Sequence, residues 1–139
     1  MRTIRAILCG ALLWILIFFE VSILMFGFKL EYGFNYYFIH YILLAILTII
    51  VALIYFDNSP KGLLEGFKVS LVFLITGLAL DSIITVPLFV HNYAFFLDKF
   101  LLIAYLEGII IISLLGYFTL KNGKEHEGKT RFLDIFRSN

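Results

Sequence analysis

Four long apolar runs, separated by short polar islands, dominate the pattern of hydrophobic and polar positions along this chain. The runs cover residues 4–28, 36–56, 67–90 and 100–120. A helix needs about 20 residues to cross the hydrocarbon core of a bilayer, and every run reaches that length. Because short connections join the runs, consecutive helices are expected to point in opposite directions. The pattern predicts an all-α integral membrane protein, a four-transmembrane-helix up-down bundle forming a single domain over residues 1–139.

The overall composition favours the same fold class. Hydrophobic residues make up 62% of the chain and charged residues 15%, whereas a soluble domain is nearer half apolar and a quarter charged. A chain of 139 residues with four such runs has too few polar residues left to cover them as a globular protein would. We therefore expect the lipid bilayer to be its first partner and the cell membrane its location.

The basic residues are distributed unevenly between the two sides of the predicted bundle. One side holds nine of the 11: Arg2, Arg5, Lys61, Lys68, Lys121, Lys124, Lys129, Arg131 and Arg137. The other side holds Lys29 and Lys99. Because cytoplasmic segments carry the excess of Lys and Arg, both termini are predicted to be cytoplasmic. Residues 121–139 then form a cytoplasmic tail, flexible over 121–129, with either disorder or a short surface helix over 130–137.

Several chemistries are excluded or receive no support from the sequence. Cys9 is the single cysteine, so an oxidoreductase that works through paired cysteines is excluded. The chain contains no Glu-x-x-His pair of the di-iron bundles, no His-Glu-x-x-His, no P-loop and no nucleophile elbow. The basic residues follow topology, so nucleic-acid binding has no support. The sequence identifies no cofactor and favours a non-enzymatic role.

Three acids inside the apolar runs are the candidate functional residues. Counting along each run places Asp81, Glu20 and Glu107 about 4–5 Å to the non-cytoplasmic side of the bilayer midplane, at the rise of an α-helix. His40 lies about one helical turn farther out. The hydrocarbon sections of the runs contain no Lys or Arg, and an unpaired buried charge is costly. The sequence predicts that the three carboxyls and His40 share one site.

The third run places further polar or small residues beside Asp81. Ser70, Gly77 and Thr85 lie within roughly 40° of Asp81 on a helical wheel, so Thr85 joins the candidate site. Pro87 lacks a backbone N–H, which predicts a kink or a local opening of the helix. Trp14 and the nearly uniform stretch of residues 43–54 are expected to make packing or lipid contacts.

Three roles for this polar group remain open. The carboxyls can share a proton, they can bind a divalent metal together with His40, or they can hydrogen-bond between helices as packing contacts. The favoured function is a structural or accessory membrane subunit. The alternatives are proton- or cation-linked transport or permeation through an oligomer, and a metal-dependent membrane enzyme. A homo-oligomer or a larger membrane complex is expected as a partner.

Overall fold

The computed structural model describes residues 2–31, 33–57, 59 and 61–137, with side chains described only as far as Leu120. These residues contain no strand. Helix α1 spans Thr3–Ser22 and continues as a π-helix over Ile23–Gly27. Helix α2 spans Phe34–Asp57, and α3 spans Leu63–Leu80. A second π-helix follows α3 at Asp81–Val90, a 3₁₀ turn covers Tyr93–Leu97, and α4 spans Lys99–Arg137.

The prediction of four membrane-length helices is confirmed. Thr3–Gly27, Phe34–Asp57, Leu63–Val90 and Lys99–Leu120 are each long and apolar enough to cross a membrane. The third begins four residues before its predicted start at residue 67. The stretch 121–129, which was predicted to be flexible, lies within α4, because this helix continues to Arg137. No proline follows Pro87, so nothing in the sequence forces α4 to end at the edge of its apolar run.

Each helix packs against two others. Helix α1 contacts α2 and α3, and α4 contacts the same two helices, so α1 and α4 occupy opposite corners of the bundle. At one end, the Arg2 backbone N–H donates to the Tyr55 hydroxyl at 3.2 Å. At the other end, the Tyr41 hydroxyl donates to the Phe100 carbonyl oxygen at 3.0 Å. We call the first the N-terminal end, and the second, which carries residues 28–31, 33 and 91–98, the distal end.

The N-terminal half of the bundle is tightly packed. Its buried side chains come from all four helices and form one cluster: Ala6, Cys9, Leu13, Val51, Ala52, Tyr55, Phe56, Val69, Phe73 and Ile112. We call this cluster the packed half. One face of α2 therefore belongs to the core, so the uniform stretch 43–54 is not simply a lipid-facing segment. The large exposed side chains, such as Ile4, Phe19, Ile75 and Leu106, point away from this core, as lipid-facing residues do.

Helices α3 and α4 approach each other at backbone distance within the packed half. The Gly62 N–H donates to the Gly116 carbonyl oxygen at 2.8 Å. A Cβ on Gly66 would lie 2.8 Å from the Ile112 carbonyl oxygen, and one on Gly116 would lie 2.6 Å from the Gly62 oxygen. Small residues permit such close crossings, which are a common source of helix association in membranes. This contact closes the N-terminal end of the bundle.

Candidate binding cavity

The distal half of the bundle contains a partly open cavity of about 960 Å³, lined by residues from all four helices. On α1 its lining extends from Gly10 to Ser22, about 18 Å at the helical rise. At the distal end it reaches Asn92 and Asp98, which are both exposed. At the opposite end the packed half closes it. The volume lies near the upper end of the range for small-molecule sites.

Asp81 lies in the wall of this cavity and is held by two side-chain donors. The Trp14 Nε1–H donates to Asp81 Oδ1 at 2.8 Å, and the Thr85 hydroxyl donates to the same oxygen at 2.7 Å. Both contacts orient the carboxyl group from fixed positions on α1 and on the segment after α3. Since both go to Oδ1, the second oxygen, Oδ2, takes no part in these two contacts.

Tyr105 on α4 brings a third group to Asp81. The two side chains are close enough to interact electrostatically, and Tyr105 also lines the cavity. Its hydroxyl is buried and makes no hydrogen bond of acceptable geometry within the described part of the chain. The Tyr105 hydroxyl and the Asp81 carboxyl are therefore a donor and an acceptor within reach of each other at the cavity wall.

The backbone changes its hydrogen-bonding pattern at Asp81. The ten residues Asp81–Val90 form a π-helix that contains Pro87, and the His91 N–H closes it by donating to the Val86 carbonyl oxygen at 2.7 Å. The disturbance predicted around Pro87 thus takes the form of a wider helix that begins at the candidate acid itself. Most π-helices are single-turn insertions, often at functional sites, and a ten-residue one is long.

A second polar contact joins α1 to α2. His40 Nδ1 and Glu20 Oε2 lie 2.9 Å apart, and Glu20 is only 9% exposed. The other carboxylate oxygen, Oε1, is buried and has no hydrogen-bond partner among the described residues. His40 lines the cavity, whereas Glu20 does not. Glu20 therefore acts from behind His40 and fixes its ring at the cavity wall.

The predicted site of three acids, His40 and Thr85 is not one cluster in the structure, which shows two separate contacts. Asp81 and Thr85 are brought together on one side, and Glu20 and His40 on the other. Glu107 is half-buried, interacts electrostatically with His40, and makes no hydrogen bond within the described part. Whether the three acids lie at one depth in the bilayer stays a prediction.

The reason for the division is the geometry of α1. Trp14 and Glu20 are six residues apart, which places them about 120° apart around the helix and about 9 Å apart along it. Trp14 is directed toward α3 and Glu20 toward α2. No three His, Cys, Asp or Glu side chains in the described part are grouped closely enough to hold a metal ion. The donor set that the metal alternative requires is thus not assembled.

Sequence reasoning missed Trp14, Tyr105 and Thr48 as site residues. A buried indole N–H or phenol hydroxyl generally requires a hydrogen-bond partner, and this is the signal that connects Trp14 with an acid on a neighbouring helix. Thr48 was visible as the one polar residue in the uniform stretch 43–54. It is 1% exposed and lines the cavity, and its hydroxyl has no hydrogen-bond partner in the described part.

The cavity wall is mainly apolar and aromatic, with acids as its charged groups. Asp81 lies within the wall and Asp98 at the distal end, and the described lining includes no Lys or Arg. Trp14 stacks with Phe18 at a ring-centroid distance of 5.6 Å, and Phe18 contacts Phe89 at 5.5 Å. A hydrophobic cavity with a few convergent polar groups is the usual form of a small-molecule site.

Comparison of the chain with protein-family models, with curated proteins and with solved structures gave no significant match. Residue roles are therefore assigned from the geometry described above. Four features define the candidate site: the cavity, the doubly hydrogen-bonded Asp81, the π-helix that begins at this residue, and the Glu20–His40 contact.

Proposed function

We propose that this chain is a small multi-pass membrane protein that binds a small solute in its distal cavity. The single observation that carries the proposal is the position of Asp81. Its carboxyl group is oriented by Trp14 and Thr85 in the wall of a cavity of about 960 Å³. An ionisable group at membrane depth is a functional candidate by default, and here it adjoins space that a ligand can occupy.

The proposed orientation is an up-down bundle in the cell membrane with both termini in the cytoplasm. The uneven distribution of basic residues supports it. The pairing of Arg2 with Tyr55 at one end and of Glu20 with His40 toward the other supports opposite directions for α1 and α2. The distal end then faces away from the cytoplasm, and solute enters the cavity from that side.

Binding is favoured over open permeation because the N-terminal half is closed. The α3–α4 crossing brings Gly116 and Gly62 into a backbone hydrogen bond, and Tyr55 and Phe56 are essentially inaccessible. Proton- or cation-linked transport would require this half to separate. Transport is therefore an alternative proposal, which adds a conformational change to solute binding.

A structural or accessory subunit is the second candidate function. The contact between Glu20 and His40 favours it, because a buried hydrogen bond between α1 and α2 is what a packing role requires. In this alternative the distal half of the bundle binds a partner protein in the membrane. The two candidates differ in whether the cavity is accessible to solute in the isolated protein.

Cysteine accessibility tests the proposal, because Cys9 is the only native cysteine and Cys9→Ser gives a cysteine-free background. In that background we place a cysteine at Gly77 or Gly108. Both line the cavity, and a Cβ at either position would meet no described atom within 4 Å. Val69→Cys is the matched control, since Val69 is 0% exposed within the packed half.

The reagent is a short, neutral, membrane-impermeant polyethylene-glycol maleimide added to sealed vesicles of known orientation. We expect Gly77→Cys and Gly108→Cys to react from the side of the distal end, at least about tenfold faster than Val69→Cys, because buried thiols are inert. Reaction rates at the cavity positions equal to that of Val69→Cys would reject solute access and leave the accessory function. Labelling from the opposite side would reject the proposed orientation.

A further inference from the structure

Resting on the proposed function, we infer that the ligand class is a compact organic cation. Its ammonium group binds Asp81 among aromatic rings, and its far end carries a hydrogen-bond acceptor for Thr48. Three features of the cavity carry this inference independently: the charge of its wall, the aromatic part of that wall, and an unpartnered hydroxyl deeper in the bundle.

The charge of the wall selects a cation. Asp81 and Asp98 line the cavity, and the described lining contains no Lys or Arg. In its ionised form, the Asp81 carboxyl at this depth favours a compensating positive group, because burial of an isolated charge is costly. Within the described residues, Trp14, Thr85 and Tyr105 supply neutral donors and His40 is engaged with Glu20. The compensating charge is therefore left to the ligand.

The aromatic part of the cavity wall suits an ammonium group that carries alkyl substituents. Trp14, Phe18 and Phe89 form a continuous series of ring contacts at 5.6 and 5.5 Å, and all three line the cavity. Tyr105 adds a fourth ring from α4. Aromatic faces attract alkylated ammonium ions through cation–π interactions, most strongly when water is excluded. A simple metal ion would gain little from such a wall.

Thr48 defines the far end of the ligand. Thr48 is 1% exposed. Its hydroxyl is buried and has no hydrogen-bond partner in the described part of the chain. It lies eight residues after His40 on α2, about 12 Å deeper along the helix. A buried hydroxyl without a partner beside a cavity becomes a hydrogen-bond donor to a ligand when its side chain rotates toward that cavity.

A matched series of nitroxides tests the charge preference. The probes are 4-trimethylammonium-TEMPO, neutral 4-hydroxy-TEMPO and anionic 4-carboxy-TEMPO, which share one apolar ring and a nitroxide oxygen that accepts hydrogen bonds. Nitroxides quench tryptophan fluorescence at short range, and Trp14 is the single tryptophan. Quenching of the full-length protein in lipid nanodiscs thus reports directly on occupancy beside Asp81.

We expect saturable quenching by the cationic probe, with an apparent affinity about tenfold above that of the anionic probe. Asp81→Asn should remove this preference and leave the fold intact, since the amide oxygen still accepts from Trp14 and Thr85. Thr48→Val should weaken binding of the cationic probe about threefold or more through loss of one hydrogen bond. Ser82→Ala is the matched control, because Ser82 donates only to the local Leu78 carbonyl oxygen.

A lipid-facing reporter separates cavity binding from partition into the bilayer. In Trp14→Phe, a tryptophan is placed at Phe19, which is 59% exposed, and quenching there should be weak and unsaturable for all three probes. Equal quenching of Trp14 by the three charges, or a cation preference that survives Asp81→Asn, would overturn the inference. If Gly77→Cys reacts with neutral maleimide and no charge preference exists, the ligand class alone is wrong. If Gly77→Cys is inaccessible, solute access itself fails.

Discussion

Two pairs of glycines on the same two helices behave in opposite ways. Gly66 on α3 and Gly116 on α4 lie where the helices touch, and a Cβ on either would come within 2.9 Å of backbone on the other helix. Gly77 and Gly108, on the same helices, face space with no described atom within 4 Å of an added Cβ. Gly66 and Gly77 are separated by about 16 Å of helix. Over that distance, α3 and α4 pass from backbone contact to opposite walls of a cavity.

The difference teaches how so short a chain combines stability with a cavity. Lipid contact provides no hydrophobic force between helices, so close packing and hydrogen bonds must hold the bundle together. The packed half supplies close packing at the α3–α4 crossing. The distal half replaces it with two polar contacts, Trp14–Asp81 and Glu20–His40, which tie α1 to its two neighbours around an open space.

The largest expected effect comes from adding one methyl group at the crossing. Gly66→Ala should lower the free energy of unfolding by about 3 kcal/mol, at the upper end of overpacking costs, because the obstacle is backbone and cannot rotate away. The matched variant Gly77→Ala should instead gain about 0.5–1 kcal/mol from the better helix propensity of alanine. Thermal or denaturant unfolding in detergent measures both.

The comparison of the two glycine pairs requires that Gly66→Ala and Gly77→Ala change the free energy of unfolding in opposite directions. Similar stabilities for Gly66→Ala and Gly77→Ala would mean that α3 and α4 are equally separated along their length. The cavity would then not be a special property of the distal half.

The next effect concerns the polar contact between α1 and α2. His40→Ala should cost about 1–2 kcal/mol, because it leaves the buried Glu20 carboxyl without its partner. His91→Ala is the control, since His91 is an exposed residue at the same end and its loss should leave stability unchanged. Equal unfolding midpoints for the two histidine variants would show that the Glu20–His40 contact does not hold the distal half together.

The sequence predicted where the helices lie along the chain far better than which helix each of them contacts. Each run shows its membrane length by composition alone, so the four spans were found with bounds shifted by at most four residues, although α4 continues as a helix beyond its run to Arg137. Which acid meets which donor depends on rotation about the helix axes, and Trp14 and Glu20 on α1 face different neighbours because of it. The glycine crossing was also missed, since Gly62 and Gly66 do not indicate which helix they will touch.

Filling the cavity should change access more than stability. Gly108→Leu places a large side chain into open space, so we expect the free energy of unfolding to stay within about 1 kcal/mol of the parent. In the cysteine-free background, the maleimide reaction of Gly77→Cys should become at least about tenfold slower. Gly108→Ala is the control, and it should leave that reaction unchanged. Unimpeded labelling in Gly108→Leu would place Gly77 outside a shared cavity.

The smallest effect isolates one hydroxyl. Thr48→Val keeps the shape of the side chain and removes a buried group without a described partner, so the protein without ligand should gain about 0.5–1 kcal/mol in stability. The control is Thr76→Val. The Thr76 hydroxyl donates to the Val72 carbonyl oxygen at 2.8 Å, so its removal should cost a similar amount.

The sign of the Thr48→Val effect, measured with and without the cationic nitroxide, decides what the hydroxyl does. A gain in the free protein, with a smaller stabilisation by the nitroxide than in the parent, identifies Thr48 as a group that is satisfied only by ligand. A loss like that of Thr76→Val would mean that water already satisfies this hydroxyl in the free protein. The inner end of the cavity would then be hydrated, and the ligand would have to displace that water to reach it.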